Sequence, residues 1–242
     1  MILFLTSQIG ATVHKEGKRV AGRLDNRNGF LTLLQDCLQS YRQMLYISGC
    51  PQENEKMSDW FHNTVDSLKM EGIRFANSIL LNGRNAEATE ELVGRSDIIF
   101  LSGGHLPTQN RFFQEIKLQN TLRGFEGIIV AQSAGSMNCA RTVYACPELP
   151  GESNDPDFNR FLPGLGLTDI NLVPHYNHNQ RLVLDGKRFY EDIIYPDSFR
   201  VPIHVLPDGS FFLIQNGQVK PFGTIYLFHR GEFQPLSGDV TA

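Results

Sequence analysis

Cysteine is scarce: four residues (Cys37, Cys50, Cys139 and Cys146) stand among 242, and none falls in a C-x-x-C pair. That is too sparse for a disulfide scaffold and fits a reducing compartment. An excess of one charge is also missing, since 22 basic against 26 acidic side chains leave a formal net charge of −4. Nothing resembles the clustered basic surface that a phosphate backbone requires, so nucleic acid is not an expected partner. Long apolar runs are absent too. The opening Met1-Ile2-Leu3-Phe4-Leu5 stops at Thr6-Ser7-Gln8 with no basic segment before it, which is short of a signal h-region or a membrane span. A soluble, unexported, cytoplasmic protein without a membrane partner is therefore expected. His175 and His178 form a close histidine pair that lacks cysteine or carboxylate ligands at zinc-like spacing, so no metal is expected.

The chain that remains has a globular composition, with 41% hydrophobic residues and 22 glycines. At this length roughly 70% of the unfolded surface is buried on folding, enough for one core, and a single domain over 1–242 is the default. Short apolar runs alternate with longer amphipathic stretches, the pattern of an α/β fold. Strands are predicted at Met1–Thr6, Gln43–Ser48, Ile73–Leu81, Asp97–Leu101 and Gly127–Gln132, the last two apolar enough to be parallel strands covered on both faces. Helices are predicted at Val20–Tyr41, where Leu31, Leu34 and Leu38 recur at helical spacing, and at Glu53–Met70. Cys146–Gly166, with four prolines and three glycines, reads as a long loop that would decide which substrate enters. From Val201 onward, turn pairs such as Asn216-Gly217 and Arg230-Gly231 punctuate a closing antiparallel meander.

Four places carry chemistry. Ser133 ends a buried strand inside Gln132-Ser133-Ala134-Gly135, and a helix is expected over Met137–Arg141. This is the layout of a nucleophile elbow, in which small neighbours permit the tight turn and the helix N-terminus offers amides to an anion. Taken alone, a Ser-x-Gly is more often an N-cap. Ser102-Gly103-Gly104-His105 follows another buried strand, and glycines there let backbone approach a bound group. In an open parallel sheet the carboxyl ends of strands form the ligand crevice, so the two turns could share one edge. His175, after Val173-Pro174, is placed to take a proton from Ser133 if within reach. Asp208, in Leu206-Pro207-Asp208-Gly209, could orient the imidazole, with Asp185, Glu191 and Asp192 as open alternatives. The order Ser, His, Asp differs from the Ser, acid, His order of α/β-hydrolases.

These motifs, in this order, resemble the dipeptidase E (aspartyl dipeptidase) and cyanophycinase group of serine peptidases. The matching stretches are Ser102-Gly103-Gly104, Ser133-Ala134-Gly135, Pro174-His175-Tyr176 and Leu206-Pro207-Asp208-Gly209, and they span most of the chain. The resemblance implies a class I glutamine amidotransferase-like three-layer α/β sandwich with a mostly parallel central sheet. It implies Ser133 as nucleophile, His175 as base, Asp208 as orienting carboxylate, and the Gly104 and Ala134 amides as oxyanion hole. His105, Tyr176 and Arg188 become expected substrate contacts. The implied partner is a small peptide, homodimer formation is left open, and no organic cofactor is needed. Three departures stand out: Ala131 where the family usually has glycine, His105 where aspartyl dipeptidase has asparagine, and no match to the Gly-Glu-Thr-Arg stretch that helps recognise an N-terminal aspartate. The rival expectations are a cyanophycinase-like or other acyl hydrolase and a catalytically silent peptide- or metabolite-binding protein. A glutamine amidotransferase is disfavoured, because its chemistry needs cysteine at the elbow and Cys139 lies six residues beyond.

Overall fold

The computed structural model describes residues 1–52 and 54–236. Five parallel strands, β1 (Ile2–Thr6), β4 (Gln43–Ile47), β5 (Asn77–Leu81), β6 (Ile98–Leu101) and β7 (Ile128–Gln132), form the body of a seven-stranded sheet. Its order is β15-β14-β1-β7-β6-β4-β5, where β14 (Phe211–Gln215) lies antiparallel on β1 and β15 (Gln218–Phe222) closes the edge. Because side chains alternate along a strand, each strand feeds two cores. Leu3, Leu5, Leu45, Ile47, Ile99, Leu101 and Ile129 face one layer, while Phe4, Met44, Tyr46, Ile98, Phe100 and Val130 face the other. The first layer is covered by α3 (Thr89–Arg95), α4 (Leu106–Glu115) and α5 (Leu118–Leu122), the second by α1 (Phe30–Cys37) and α2 (Glu55–Met70). Each fully buried leucine or phenylalanine contributes about 1.5–3 kcal/mol, so the apolar runs dictate the layering.

A second, four-stranded sheet has the order β10-β13-β16-β17, built from Leu172–Val173, Ile203–Val205, Tyr226–His229 and Glu232–Pro235. The C-terminal strands therefore do not close as one meander: β14 and β15 extend the main sheet, and the strands on either side of them belong to the second. The backbone edge of Phe211–Gln215 pairs antiparallel with β1, which supplies the hydrogen bonds that β1 needs on that side.

The expected helix at Val20–Tyr41 is confined to Phe30–Cys37. Upstream, β2 (Thr12–Lys15) and β3 (Lys18–Ala21) make a hairpin, and residues 22–29 are a loop. Asp25 Oδ1 accepts the Arg27 amide at 3.0 Å, a local bond that competes with helix, and Gly29 takes a φ of 82° at the helix entry. The expected strand at Ile73–Leu81 is shortened to Asn77–Leu81. Within the predicted loop, Phe161–Pro163 (β9) pairs with Thr142–Tyr144 (β8). Among the described residues no helix is long and apolar enough to cross a membrane.

Candidate active site

Ser133 sits between β7 and the short helix α6 (Ala134–Asn138), three residues nearer the strand than the sequence predicts. Its backbone has φ 53° and ψ −120°, a conformation that is an outlier for a residue with a side chain. Several contacts hold this turn in place. The Ser133 amide donates to Thr6 O at 3.0 Å, and Ser136 Oγ accepts from Thr6 N and donates to Thr6 O at 2.9 and 2.8 Å. At Gly135 a Cβ would fall 2.4 Å from Leu101 O, so only glycine lets α6 approach the end of β6.

The Ser102-Gly103-Gly104 turn leaves the adjacent strand at the same edge. A Cβ on Gly103 would lie 3.8 Å from Ser133 Oγ, which places this backbone directly against the hydroxyl. A buried amide chain fastens the two turns: Gln109 Nε2 donates to Ser102 O at 2.7 Å, and Asn138 Nδ2 donates to Gln109 Oε1 at 3.0 Å. Among the described residues the amides of Gly104 and Ala134 have no backbone acceptor.

Histidine and acid arrive from the second sheet. β10 and β13 are parallel, with Val173 opposite Val205, so the residues that follow them, Pro174-His175 and Leu206-Pro207-Asp208, emerge side by side. His175 has φ 59° and ψ 39° and opens α7 (Tyr176–Asn179). Its Nε2 is 3.0 Å from Ser133 Oγ, and its Nδ1 is 2.8 Å from Asp208 Oδ1. Burial would raise the Asp208 carboxyl, but hydrogen bonds from His175 and Ser7 and the field of Arg27 outweigh it and hold it below the ordinary carboxylate value. Asp185 instead accepts the amides of Gly151 and Ser153, Asp192 pairs with Arg188, and Glu191 borders a separate hollow.

Ser7 is a member of this arrangement that motif reading missed. Its hydroxyl donates to Asp208 Oδ1 at 2.6 Å and accepts the His175 amide at 2.8 Å, joining the end of β1 to both partners. The signal was its place immediately past an apolar strand that ends at the same sheet edge as Ser133. The loop at 22–29 supports the acid from outside: Arg27 Nη2 donates to Asp208 O at 3.1 Å, and Asn28 Nδ2 to Gly209 O at 2.9 Å.

Ser133 and His175 open into a cleft of about 580 Å³ lined also by Gly103, Gly104, His105, Glu148, Lys56 and Arg19. Of the three expected substrate contacts, His105 is in this cleft, held between Thr108 Oγ1 at 2.8 Å and Glu152 Oε1 at 2.7 Å. The Tyr176 ring turns the other way, packing on Tyr190, Tyr226 and Phe233 beside a neighbouring hollow of about 520 Å³. Arg188 is exposed, bound twice to Asp192, and does not line the cleft. Among the described residues no group of three or more His, Cys, Asp and Glu side chains gathers to hold a metal.

A serine at a strained strand-to-helix turn, against a histidine on an α/β frame, falls in the class of serine-type hydrolases, and comparison with known proteins makes that class a peptidase. The chain belongs to peptidase family S51, which matches residues 23–221. Among solved structures it is similar to a candidate peptidase E from Listeria monocytogenes EGD-e, with a TM-score of 0.60 at 14% identity, covering 91% of this chain and 96% of that one. At that identity the likeness concerns the fold. No curated protein matches the chain.

Proposed function

We propose that this serine-type peptidase hydrolyses small peptides, in the manner of dipeptidase E, through an acyl-enzyme on Ser133. The observation that carries the reading is one imidazole meeting a hydroxyl 3.0 Å from Nε2 and a carboxylate 2.8 Å from Nδ1. The carboxylate fixes the tautomer with the proton on Nδ1, leaving Nε2 as acceptor for the Ser133 proton. As Oγ attacks the peptide carbonyl, His175 takes that proton and later gives it to the leaving amine; water then releases the acid with the same histidine as base. The free Gly104 and Ala134 amides serve the oxyanion, where loss of one donor typically raises the barrier by about 3 kcal/mol.

A cleft near 580 Å³ suits a dipeptide, and Arg19 and Lys56 on its wall favour a substrate that carries an acidic residue. The layered arrangement supports a class I glutamine amidotransferase-like sandwich in which residues 1–242 act as one peptidase domain. The test is mass-spectrometric screening of a dipeptide library, with α- and β-linked aspartyl members, against the protein and Ser133→Ala. Loss of cleavage by at least about 1000-fold in the variant is expected. Cleavage that survives in Ser133→Ala contradicts the reading.

A further inference from the structure

Two residues singled out in the sequence, Tyr176 and Glu191, take no part in the cleft around Ser133 and meet instead at the neighbouring hollow of about 520 Å³. Rings make up most of its wall: Tyr176, Tyr190, Tyr195, Phe228 and Phe233. Along the circuit Tyr195, Phe228, Phe233, Tyr176, Tyr190 the successive centroids are 6.0, 5.3, 5.7 and 5.5 Å apart. Each of these pairs is edge-on or tilted rather than stacked, which leaves π-surface for a further partner. No cation of the chain uses that surface, since among the described residues Lys56 stands over Trp60, Arg160 over Phe158 and Arg200 over Phe161.

Tyr190 and Glu191 sit on a π-helical turn, Phe189–Ile194, a rare conformation that is frequent at functional sites. The Tyr190 hydroxyl is buried without a hydrogen bond among the described residues, so packing alone presents this ring while a polar group goes unsatisfied. Glu191 is exposed and is the one charged residue on the wall among the described residues. Arg188 lies in its field but gives its hydrogen bonds to Asp192, so the stretch 188–192, with one base against two acids, keeps a negative charge in excess.

We propose that this hollow binds a small organic cation with a quaternary ammonium head, the rings surrounding the head and Glu191 supplying the opposite charge. The negative faces of aromatic rings attract a cation most strongly where water is excluded. On so apolar a wall a primary ammonium would give up its hydrogen bonds to water for a single carboxylate. A quaternary ammonium donates no hydrogen bonds and loses little on entering. A volume of about 520 Å³ lies in the ordinary range of small-molecule sites and leaves room for the rest of the ligand. The site stands apart from the peptidase reading: no step at Ser133 requires it, and its test reads binding alone.

The experiment is calorimetric titration of the intact protein with three probes: choline, the uncharged alcohol in which carbon replaces its nitrogen, and ethanolamine, which has the same chain and a primary ammonium. Choline should bind at least about 10-fold more tightly than either. Phe233 is 39% exposed, so its ring can be removed without opening the core. Phe233→Leu should weaken choline about 10-fold and Glu191→Gln about 3-fold, with thermal melting unchanged, while Phe233→Tyr, which keeps a ring, retains the affinity. Ser133→Ala should bind choline as the intact protein does. Equal affinity for the alcohol, unchanged choline binding in Phe233→Leu, or no binding of choline up to about 10 mM overturns the assignment. So does a protein that sediments as a dimer which Phe233→Leu dissociates and choline does not affect, because the rings then serve a second copy of the chain.

Discussion

The two ends of the parallel strands are built on opposite principles. At the amino-terminal end, Asp97, just before β6, accepts from Ser40 Oγ at 2.9 Å, from the amides of Arg42 and Gln43 at 2.6 and 3.2 Å, and from the Arg42 guanidinium at 2.6 Å. Burial would raise this carboxyl, and these bonds more than offset it, so it stays ionised below its ordinary range. Polar groups there are satisfied by the protein itself. At the carboxyl-terminal end, Ser133 is held in a strained turn, and among the described residues the Gly104 and Ala134 amides have no backbone acceptor. The larger hollow, about 740 Å³, lies at the amino-terminal end beside Arg42 and Asp97. Size alone therefore does not single out the Ser133 edge; free donors and local strain do, and these support the proposed substrate site there.

Substitutions at the two ends should separate activity from stability. The largest effect is expected from Asp208→Asn, which keeps the shape but presents the wrong partner to His175 Nδ1. Turnover should fall about 1000- to 10,000-fold with the unfolding midpoint in urea little changed. Next is Asp97→Ala, which strips the amino-terminal network of its acceptor; it should lower stability by about 2 kcal/mol and leave kcat/KM near wild type. Since the folded Asp97 pKa is depressed, its contribution is complete above the unfolded value near 3.9 and is lost as pH falls through the folded one. Denaturation curves of protein and variant should stay equally far apart from about pH 5 to 8 and converge in acid. Smallest is Ser7→Ala, which frees the His175 amide and one bond to Asp208; about 10-fold in kcat and about 1 kcal/mol in stability are expected. Full activity in Asp208→Asn, or a turnover loss in Asp97→Ala as large as that in Ser7→Ala, would break the division between the ends.

Much of this frame was legible in the residues. The strands Gln43–Ile47, Ile98–Leu101 and Ile128–Gln132 follow from apolar runs long enough to be buried on both faces. Ser133, Gly104, His175 and Asp208 could be singled out because each follows or closes such a run. What stayed hidden depends on long-range pairing. Leu31, Leu34 and Leu38 have helical spacing, but the Asp25–Arg27 bond and the Asp208 turn recruit residues 22–29 into a loop, which no local periodicity reports. The division of the C-terminal strands between two sheets depends on β1 needing a partner from the far end of the chain, where Leu3 pairs with Ile214. Ser7 carries no motif, and its contacts to His175 and Asp208 arise only from where the turns converge.

The central claim, that Ser133 is made nucleophilic by His175, is tested most directly by reacting the protein with a fluorophosphonate and mapping the adduct by peptide mass spectrometry. A single phosphonyl group on Ser133, absent in Ser133→Ala and formed at least about 100-fold more slowly in His175→Ala, is the predicted result. A Ser133 that stays unlabelled, or that labels equally well without the histidine, would contradict it.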